Sequence, residues 1–198
     1  MEQLSAFLLA SILLTLSPGP DLLMVMAKSL ERGSNAALFF TAGLMTGLCA
    51  HTLLLIMGWP QIIGDRPYMV TAIKWMGCFY FCYLGVRAIR QSFTASKSII
   101  LAHATPSNHY KQGLLMNLLN PKVSLFFWMF FPGFLFSKSW TSAEQYMVLG
   151  TLFLLQAGLI FTLVAFFAAG LKGFFDRFNL GLSSGLLWII LGIYLVLP

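Results

Sequence analysis

The chain has 198 residues, of which 59% are hydrophobic and only 9% are charged. Soluble domains carry about 25% charged residues, so this composition excludes an ordinary water-soluble fold and makes lipid the expected solvent. The formal net charge of +6 does not indicate a nucleic-acid partner, because the positive residues lie in short loops between apolar segments, as in multi-pass membrane proteins.

Six apolar segments of about 20 residues predict six transmembrane helices, since a helix of that length crosses the hydrocarbon core. In chain order they are residues 4–25, 36–58, 68–90, 113–136, 145–170 and 181–197. A polar linker, residues 91–112, separates the third segment from the fourth. The expected fold class is therefore all-α, a polytopic integral membrane protein with one membrane domain.

Polar, helix-breaking motifs interrupt the first and fourth segments. They read Ser17-Pro18-Gly19-Pro20-Asp21 and Leu119-Asn120-Pro121-Lys122. Proline lacks an amide proton and fits best in the first turn of a helix. We therefore expect Pro20 and Pro121 each to begin a half-helix, with Ser17 or Gly19 and Asn120 near the N-cap positions.

The two halves of the chain share an organisation. Each begins with a broken segment, continues with a glycine-containing one and ends with a shorter one. Residues 1–90 and 113–198 are therefore predicted to form two three-span repeats. Because three is odd, the repeats have opposite orientations in the membrane, as in many secondary carriers, and breaks at corresponding positions indicate the substrate site.

Positive residues predict the orientation of the chain. Eight lie after the first, third and fifth segments and three on the opposite side: Lys28, Arg32, Arg87, Arg90, Lys97, Lys111, Lys172 and Arg177 against Arg66, Lys74 and Lys138. This bias places the linker in the cytoplasm and both termini outside. A first segment that does not cross fully would reverse the side of the N-terminus.

Asp21 and Lys122 are expected near the middle of the membrane. Lys122 lies eleven residues after Lys111, and Asp21 lies seven residues before Lys28, which correspond to roughly 16 and 10 Å along a helix. A charge at that depth costs at least about 2.5–3.5 kcal/mol and indicates function.

A lysine in the first turn of a helix is also unfavourable, so Lys122 needs an anion or an acidic partner. We expect Lys122 and the half-helix ends to bind a substrate carboxylate, and Asp21 to bind an ammonium group or a proton. The alternative is a structural Asp–Lys pair that holds the helices together.

Other polar residues extend the candidate site. Asn117 and Asn120 share a helix face and could cap helices or bind polar groups of the substrate. Gln156 in the fifth segment could line the cavity or pair with a neighbour. His51, the only histidine within a predicted span, could relay protons or be a packing residue. His103 and His109 fall in the linker and are expected to be solvated.

Glycines four positions apart predict close helix packing at two places, Gly43/Gly47 and Gly181/Gly185. Packing within the chain is favoured, and a homodimer seam is the alternative. Motifs typical of enzyme active sites, such as GxSxG, HExxH, the P-loop and GxGxxG, are absent from the sequence. We therefore expect no catalytic residues, metal or cofactor.

Four segments of the chain carry a family resemblance. They are Ser17-Pro18-Gly19-Pro20-Asp21, Gly43-Leu44-Met45-Thr46-Gly47, Tyr83-Leu84-Gly85 and Asn117-Leu118-Leu119-Asn120-Pro121-Lys122. With these residues in this order, the chain resembles the LysE/RhtB family of bacterial amino-acid exporters. The family motifs map onto Pro18, Gly19, Pro20, Asp21, Asn120, Pro121 and Lys122. The spacing and the six-span length agree over the whole chain.

The resemblance implies a carrier in the cell inner membrane that exports amino acids such as threonine, homoserine, leucine or basic amino acids in exchange for protons. Its partners would be the amino acid, protons and the lipid bilayer. Many similar proteins carry an acidic residue in the middle of the fifth span, where this chain has Gln156. Proton coupling would then rest on Asp21 or His51, or be weaker.

Two other functions remain open from the residues. An exporter of metal or other small ions would need more cysteine, histidine or carboxylate ligands within the spans than are visible. A membrane-embedded redox or assembly factor would depend on Cys49, Cys78 and Cys82, which lack a CxxC motif and are typical of apolar packing.

Overall fold

The computed structural model describes residues 2–17, 19–58, 67–93 and 109–177, together with residues 186, 189, 190, 192, 193 and 196. The regular secondary structure of this part is entirely helical. Pro18, His103, the Gly181/Gly185 pair, most of the linker and most of the sixth predicted span lie outside the described residues.

The described part of the chain contains the following helices, in chain order. They are α1 (Glu2–Leu16), α2 (Pro20–Arg32), α3 (Ser34–Ile56), α4 (Pro67–Phe93), α5 (His109–Leu118), α6 (Pro121–Leu125) and α7 (Ser142–Arg177). A π-helical segment, Phe126–Phe130, and a 3₁₀ turn, Phe131–Phe134, continue α6.

Among the residues that the structure describes, two helical stretches are long and apolar enough to cross a membrane by themselves, namely α3 and the Ser142–Ala168 part of α7. The number rises to four if each bent pair counts as one span. The pairs are α1 with α2, bent by 52°, and α5 with Pro121–Phe134, bent by 47°. The prediction of an all-helical membrane protein is confirmed in this coarser form, while six spans and inverted repeats stay predictions.

The chain divides into two compact units. The first consists of Met1–Gly58 and Ile99–Gly173, and the second of Trp59–Ser98 and Phe174–Pro198. The second unit contains α4, and a Cβ atom added at Gly192 would lie 3.1 Å from the carbonyl oxygen of Cys78. Everything described below belongs to the first unit.

Both half-helices begin as the sequence predicts. Pro20 is the first residue of α2, with Gly19 as its N-cap, and Pro121 is the first residue of α6, with Asn120 as its N-cap. The Asn120 side chain accepts a hydrogen bond from the Lys122 backbone amide at 3.0 Å. A side-chain cap of this kind compensates an amide that would have no partner inside the helix.

Glycines bring α3 and α5 into backbone contact. A Cβ atom at Gly43 would overlap the carbonyl oxygen of Tyr110, and one at Gly113 would overlap that of Phe40. The expectation that Gly43 and Gly47 pack within the chain is therefore confirmed, because only residues without a side chain allow this approach.

A buried aromatic cluster lies between α1, the continuation of α6 and α7. It consists of Phe7, Phe126, Phe127, Phe131 and Phe153, all at most 3% exposed. The rings of Phe7 and Phe131 meet edge to face at 5.0 Å between centroids, and those of Phe127 and Phe131 stack at 4.3 Å. Such pairs add stability beyond the buried area, so this cluster holds the broken helices against α7.

One side chain holds the turn between the 3₁₀ segment and α7. The Oε1 atom of Gln145 accepts hydrogen bonds from the backbone amides of Phe136 and Ser137, and its Nε2 atom donates to the carbonyls of Ser137 and Trp140. Gln145 is 2% exposed. These four direct bonds fix the turn to the first helical turn of α7.

Candidate functional site

The two breaks meet in the structure. The Asn120 amide group donates hydrogen bonds to both carboxylate oxygens of Asp21, each at 3.0 Å. Asn120 and Asp21 are both buried, although 99 positions separate them in the chain. The side chain that caps α6 therefore also holds the carboxylate in the first turn of α2.

The Lys122 side chain extends from the second break to the end of α1. Its ammonium group donates to the carbonyl oxygens of Leu14, at 2.9 Å, and Ser17, at 3.2 Å, at the end of α1. The end of a helix carries partial negative charge, so a buried cation is stabilised there. A Cβ atom at Gly19 would lie 2.9 Å from the Lys122 Nζ atom, so glycine leaves room for the ammonium group.

The charged residue of each helix break is thus stabilised by groups from the other half of the chain. Asp21 lies at the N-terminus of α2 and Lys122 reaches the C-terminus of α1, where each complements the helix end. The two groups also attract each other directly. The unfavourable position of Lys122 in the first turn of α6 is therefore offset by partners in the first half of the chain.

A small cavity adjoins this cluster. Its volume is about 20 Å³, and eleven residues from six helices line it: Leu14, Thr15, Asp21, Leu22, Leu48, Asn117, Lys122, Val123, Phe153, Ala157 and Phe161. That volume holds about one water molecule, so an amino acid does not fit. This conformation is therefore closed to an amino acid, and a larger ligand requires the helices around the cavity to move.

Asn117 is the third polar group of the cavity wall. It is 1% exposed, and its Oδ1 atom accepts no hydrogen bond from any described residue. A Cβ atom at Gly47 would lie 2.5 Å from that oxygen, so the absence of a side chain at Gly47 sets the position of Asn117. A buried amide oxygen without a partner is costly in a purely structural role.

Gln156 and His51 lie near the cavity without lining it. The Gln156 Nε2 atom donates to the Thr15 hydroxyl at 3.1 Å, and Thr15 lines the cavity. His51 is buried, with its ring centroid 5.4 Å from that of Phe127. Its ring interacts with the backbone of Asn117, but within the described chain no hydrogen bond of normal geometry reaches its ring nitrogens.

A second polar contact ties the broken helices together at the linker end of α5. The Lys28 ammonium group donates to Gln112 Oε1 at 2.7 Å and lies 3.3 Å from His109 Nδ1. It also lies 5.3 Å from the centre of the Phe40 ring, a favourable cation–π distance. The expectation that His109 is merely solvated is wrong, because the first turn of α5 packs on the end of α2.

Sequence reasoning missed the apolar part of the cavity wall. Leu48, Phe153, Ala157 and Phe161 look like any other apolar residue of a membrane helix. The spacing of four between the α7 residues indicates a shared face, but no local signal tells whether that face meets lipid or protein.

Comparison with known proteins identifies relatives that match most of the chain. The sequence model described as LysE type translocator matches residues 12–198. The homoserine/homoserine lactone efflux protein of Salmonella typhimurium is 29% identical over 191 residues, which cover 94% of this chain and 92% of the relative. The leucine efflux protein of Salmonella choleraesuis is 26% identical over 146 residues, covering 73% of this chain and 69% of the relative. No solved structure matches.

Metal ligands do not cluster in the described part of the chain. No group of three or more histidine, cysteine, aspartate or glutamate side chains that could hold a metal ion occurs there. The polar groups of the cavity are instead one carboxylate, one ammonium, one amide and one hydroxyl. These are the groups that bind the ammonium and carboxylate of an amino acid.

Proposed function

This chain belongs to the family of LysE type translocators, and we propose that it exports small amino acids or close derivatives across the bacterial inner membrane by secondary active transport. Members of the family are transporters, so the chain is a membrane transporter and not an enzyme. The observation that carries the proposal is the meeting of Asp21, Asn120 and Lys122, contributed by two broken helices, beside a small cavity.

Lys122 binds the substrate carboxylate in this proposal, and Asp21 binds its ammonium group. The carboxylate would take the place of the Leu14 and Ser17 carbonyl oxygens at Lys122, and the ammonium group that of the Asn120 amide at Asp21. Hydrogen bonds to charged groups contribute about 1.5–3 kcal/mol each. An exchange of one such bond for another avoids leaving a buried charge without a partner.

This exchange also links binding to movement. The bonds that the substrate replaces are those that join α1 and α2 to α6 in the closed conformation. A ligand shifts a conformational equilibrium only by its difference in affinity between the two states. Because a substrate satisfies Asp21 and Lys122 without these bonds, it favours separation of the broken helices and exposure of the cavity in alternating access.

Proton coupling belongs to the same proposal. Gln156 does not titrate, so a transported proton would be carried by Asp21 or by His51. Competition between a proton and a substrate ammonium for the Asp21 carboxylate would drive export by the inward proton gradient. Counterflow measured with and without an imposed pH gradient tests this part, and identical rates in both conditions contradict it.

The decisive experiment is exchange in proteoliposomes preloaded with unlabelled amino acid and presented with a panel of labelled ones. We expect accelerated uptake of one or a few amino acids. Lys122→Ala and Asp21→Asn should abolish it while the protein still inserts and folds. Lys138→Ala and Glu31→Gln make the same chemical changes at exposed positions and should transport normally.

Two results would contradict the proposal. Folded wild-type protein that exchanges no amino acid of the panel would point to another class of solute. Normal exchange by both Lys122→Ala and Asp21→Asn would show that the substrate binds elsewhere. Membrane insertion and elution as a single species in detergent distinguish lost transport from lost folding.

A further inference from the structure

We propose that Ala157 sets the size of the substrate side chain that this transporter accepts. The inference rests on the proposed function and assigns the apolar part of its cavity. Every amino acid has a carboxylate and an ammonium group, so Lys122 and Asp21 cannot distinguish one substrate from another. Selection among substrates must come from the walls that face the side chain.

Helix α7 supplies one continuous wall. Phe153, Ala157 and Phe161 line the cavity at intervals of four residues, so they lie on one face of the helix. All three are buried, with Ala157 only 1% exposed. Of the described residues that line the cavity, Ala157 has the smallest side chain. Two rings therefore flank a position where the wall recedes.

The other helices leave less room for a variable side chain. The α1 and α2 residues of the cavity wall lie next to the hydrogen bonds that hold Lys122 and Asp21. Asn117 packs tightly against Gly47. Leu48 and Val123 are larger than alanine and buried. The recess at Ala157 is thus where a substrate side chain gains space when the helices separate.

A change of one or two methyl groups at this wall should change selectivity measurably. An apolar pocket discriminates substrates that differ by one methylene group by about 10- to 200-fold. Ala157→Val adds two methyl groups beside a cavity of only about 20 Å³. It should lower exchange of the largest transported amino acid relative to the smallest at least about tenfold. Ala157→Gly should shift the same ratio towards larger substrates.

The test measures counterflow of labelled glycine, alanine, threonine, leucine and phenylalanine in the same proteoliposome preparation. The ratio of two rates does not depend on how much protein is folded, so reduced stability of a variant does not imitate the effect. Gly158→Ala is the matched control. It adds a methyl group at the next residue of α7, 3.5 Å from the Met45 sulfur and away from the cavity, and should leave the ratio unchanged.

The outcomes separate this inference from the proposed function. If wild-type protein exchanges none of the five amino acids, the function itself is contradicted. If it does exchange them and Ala157→Gly leaves the ratio unchanged, the assignment of Ala157 is overturned, whether Ala157→Val transports or not. Opposite shifts in the two variants, with an unchanged ratio in Gly158→Ala, support it.

Discussion

The bond between Asn120 and Asp21 makes a prediction whose size follows from the structure. Asn120→Asp keeps the acceptor that caps α6 but removes the amide that donates to both Asp21 oxygens at 3.0 Å. Loss of a hydrogen bond to a charged group costs about 1.5–3 kcal/mol, and two adjacent carboxylates repel each other. For a chain of this length about 2–3 kcal/mol corresponds to a melting temperature lower by roughly 4–12 °C.

The assay is thermal unfolding of the purified protein in detergent, followed by tryptophan fluorescence. The difference in melting temperature between Asn120→Asp and the wild type should be smaller at acid pH, because a proton shared between the two carboxyl groups replaces the missing amide donor. Asn35→Asp, the same substitution at an exposed position of α3, is the control and should melt like the wild type at both pH values.

The exchanged pair completes the test. In the double variant Asp21→Asn with Asn120→Asp, the amide and the carboxylate trade places, and the new carboxylate still caps α6. We expect it to recover most of the stability lost in Asn120→Asp, with a coupling free energy of at least about 1 kcal/mol. An Asn120→Asp variant as stable as the wild type, or a double variant that recovers nothing, would refute the contact as the link between the breaks.

Two further predictions concern how the site is supported. Gly43→Ala should unfold the protein or lower its melting temperature strongly, because the added Cβ atom overlaps the Tyr110 carbonyl oxygen. Gly133→Ala is the control and should be near neutral, because a Cβ atom there has nothing within 4 Å. Equal melting temperatures of the two variants would contradict this prediction. Gln145→Leu removes four hydrogen bonds from the turn before α7. It should lower the melting temperature by several degrees, at about 2–4 °C per kcal/mol, without changing which amino acids are exchanged. A changed preference among amino acids would mean that the turn also shapes the site.

Local chemistry made part of the site predictable. Pro20, Pro121 and Asn120 are found at the helix starts because proline and asparagine favour these positions whatever surrounds them. The partners of Lys122 were not predictable. They depend on where α1 ends relative to α6, and the chain separation between donor and acceptor is 108 positions for Leu14.

The composition of the cavity wall could likewise be predicted only in part. Burial of Asp21 and Lys122 was expected from their depth, and the structure places both in one cluster. Which apolar residues face that cluster depends on the rotation of α3 and α7 about their axes. The bend at Phe167, with φ −106° and ψ 18°, follows no sequence signal such as proline. Ser29 donates a hydrogen bond to the Ala165 carbonyl beside it, a contact that interrupts the regular pattern of a helix.

The crossed partners of the two breaks also determine the order in which the protein can be completed. Asp21 has its amide partner 99 positions later in the chain, and a ribosome adds about 5–20 residues per second. The first broken helix therefore waits roughly 5–20 s in the membrane before Asn120 and Lys122 are made. During that interval the insertion machinery, lipid head groups or water must accommodate the Asp21 carboxylate. The first half of this transporter is thus synthesised as an unfinished structure, and arrival of the fourth predicted span is the step that closes it.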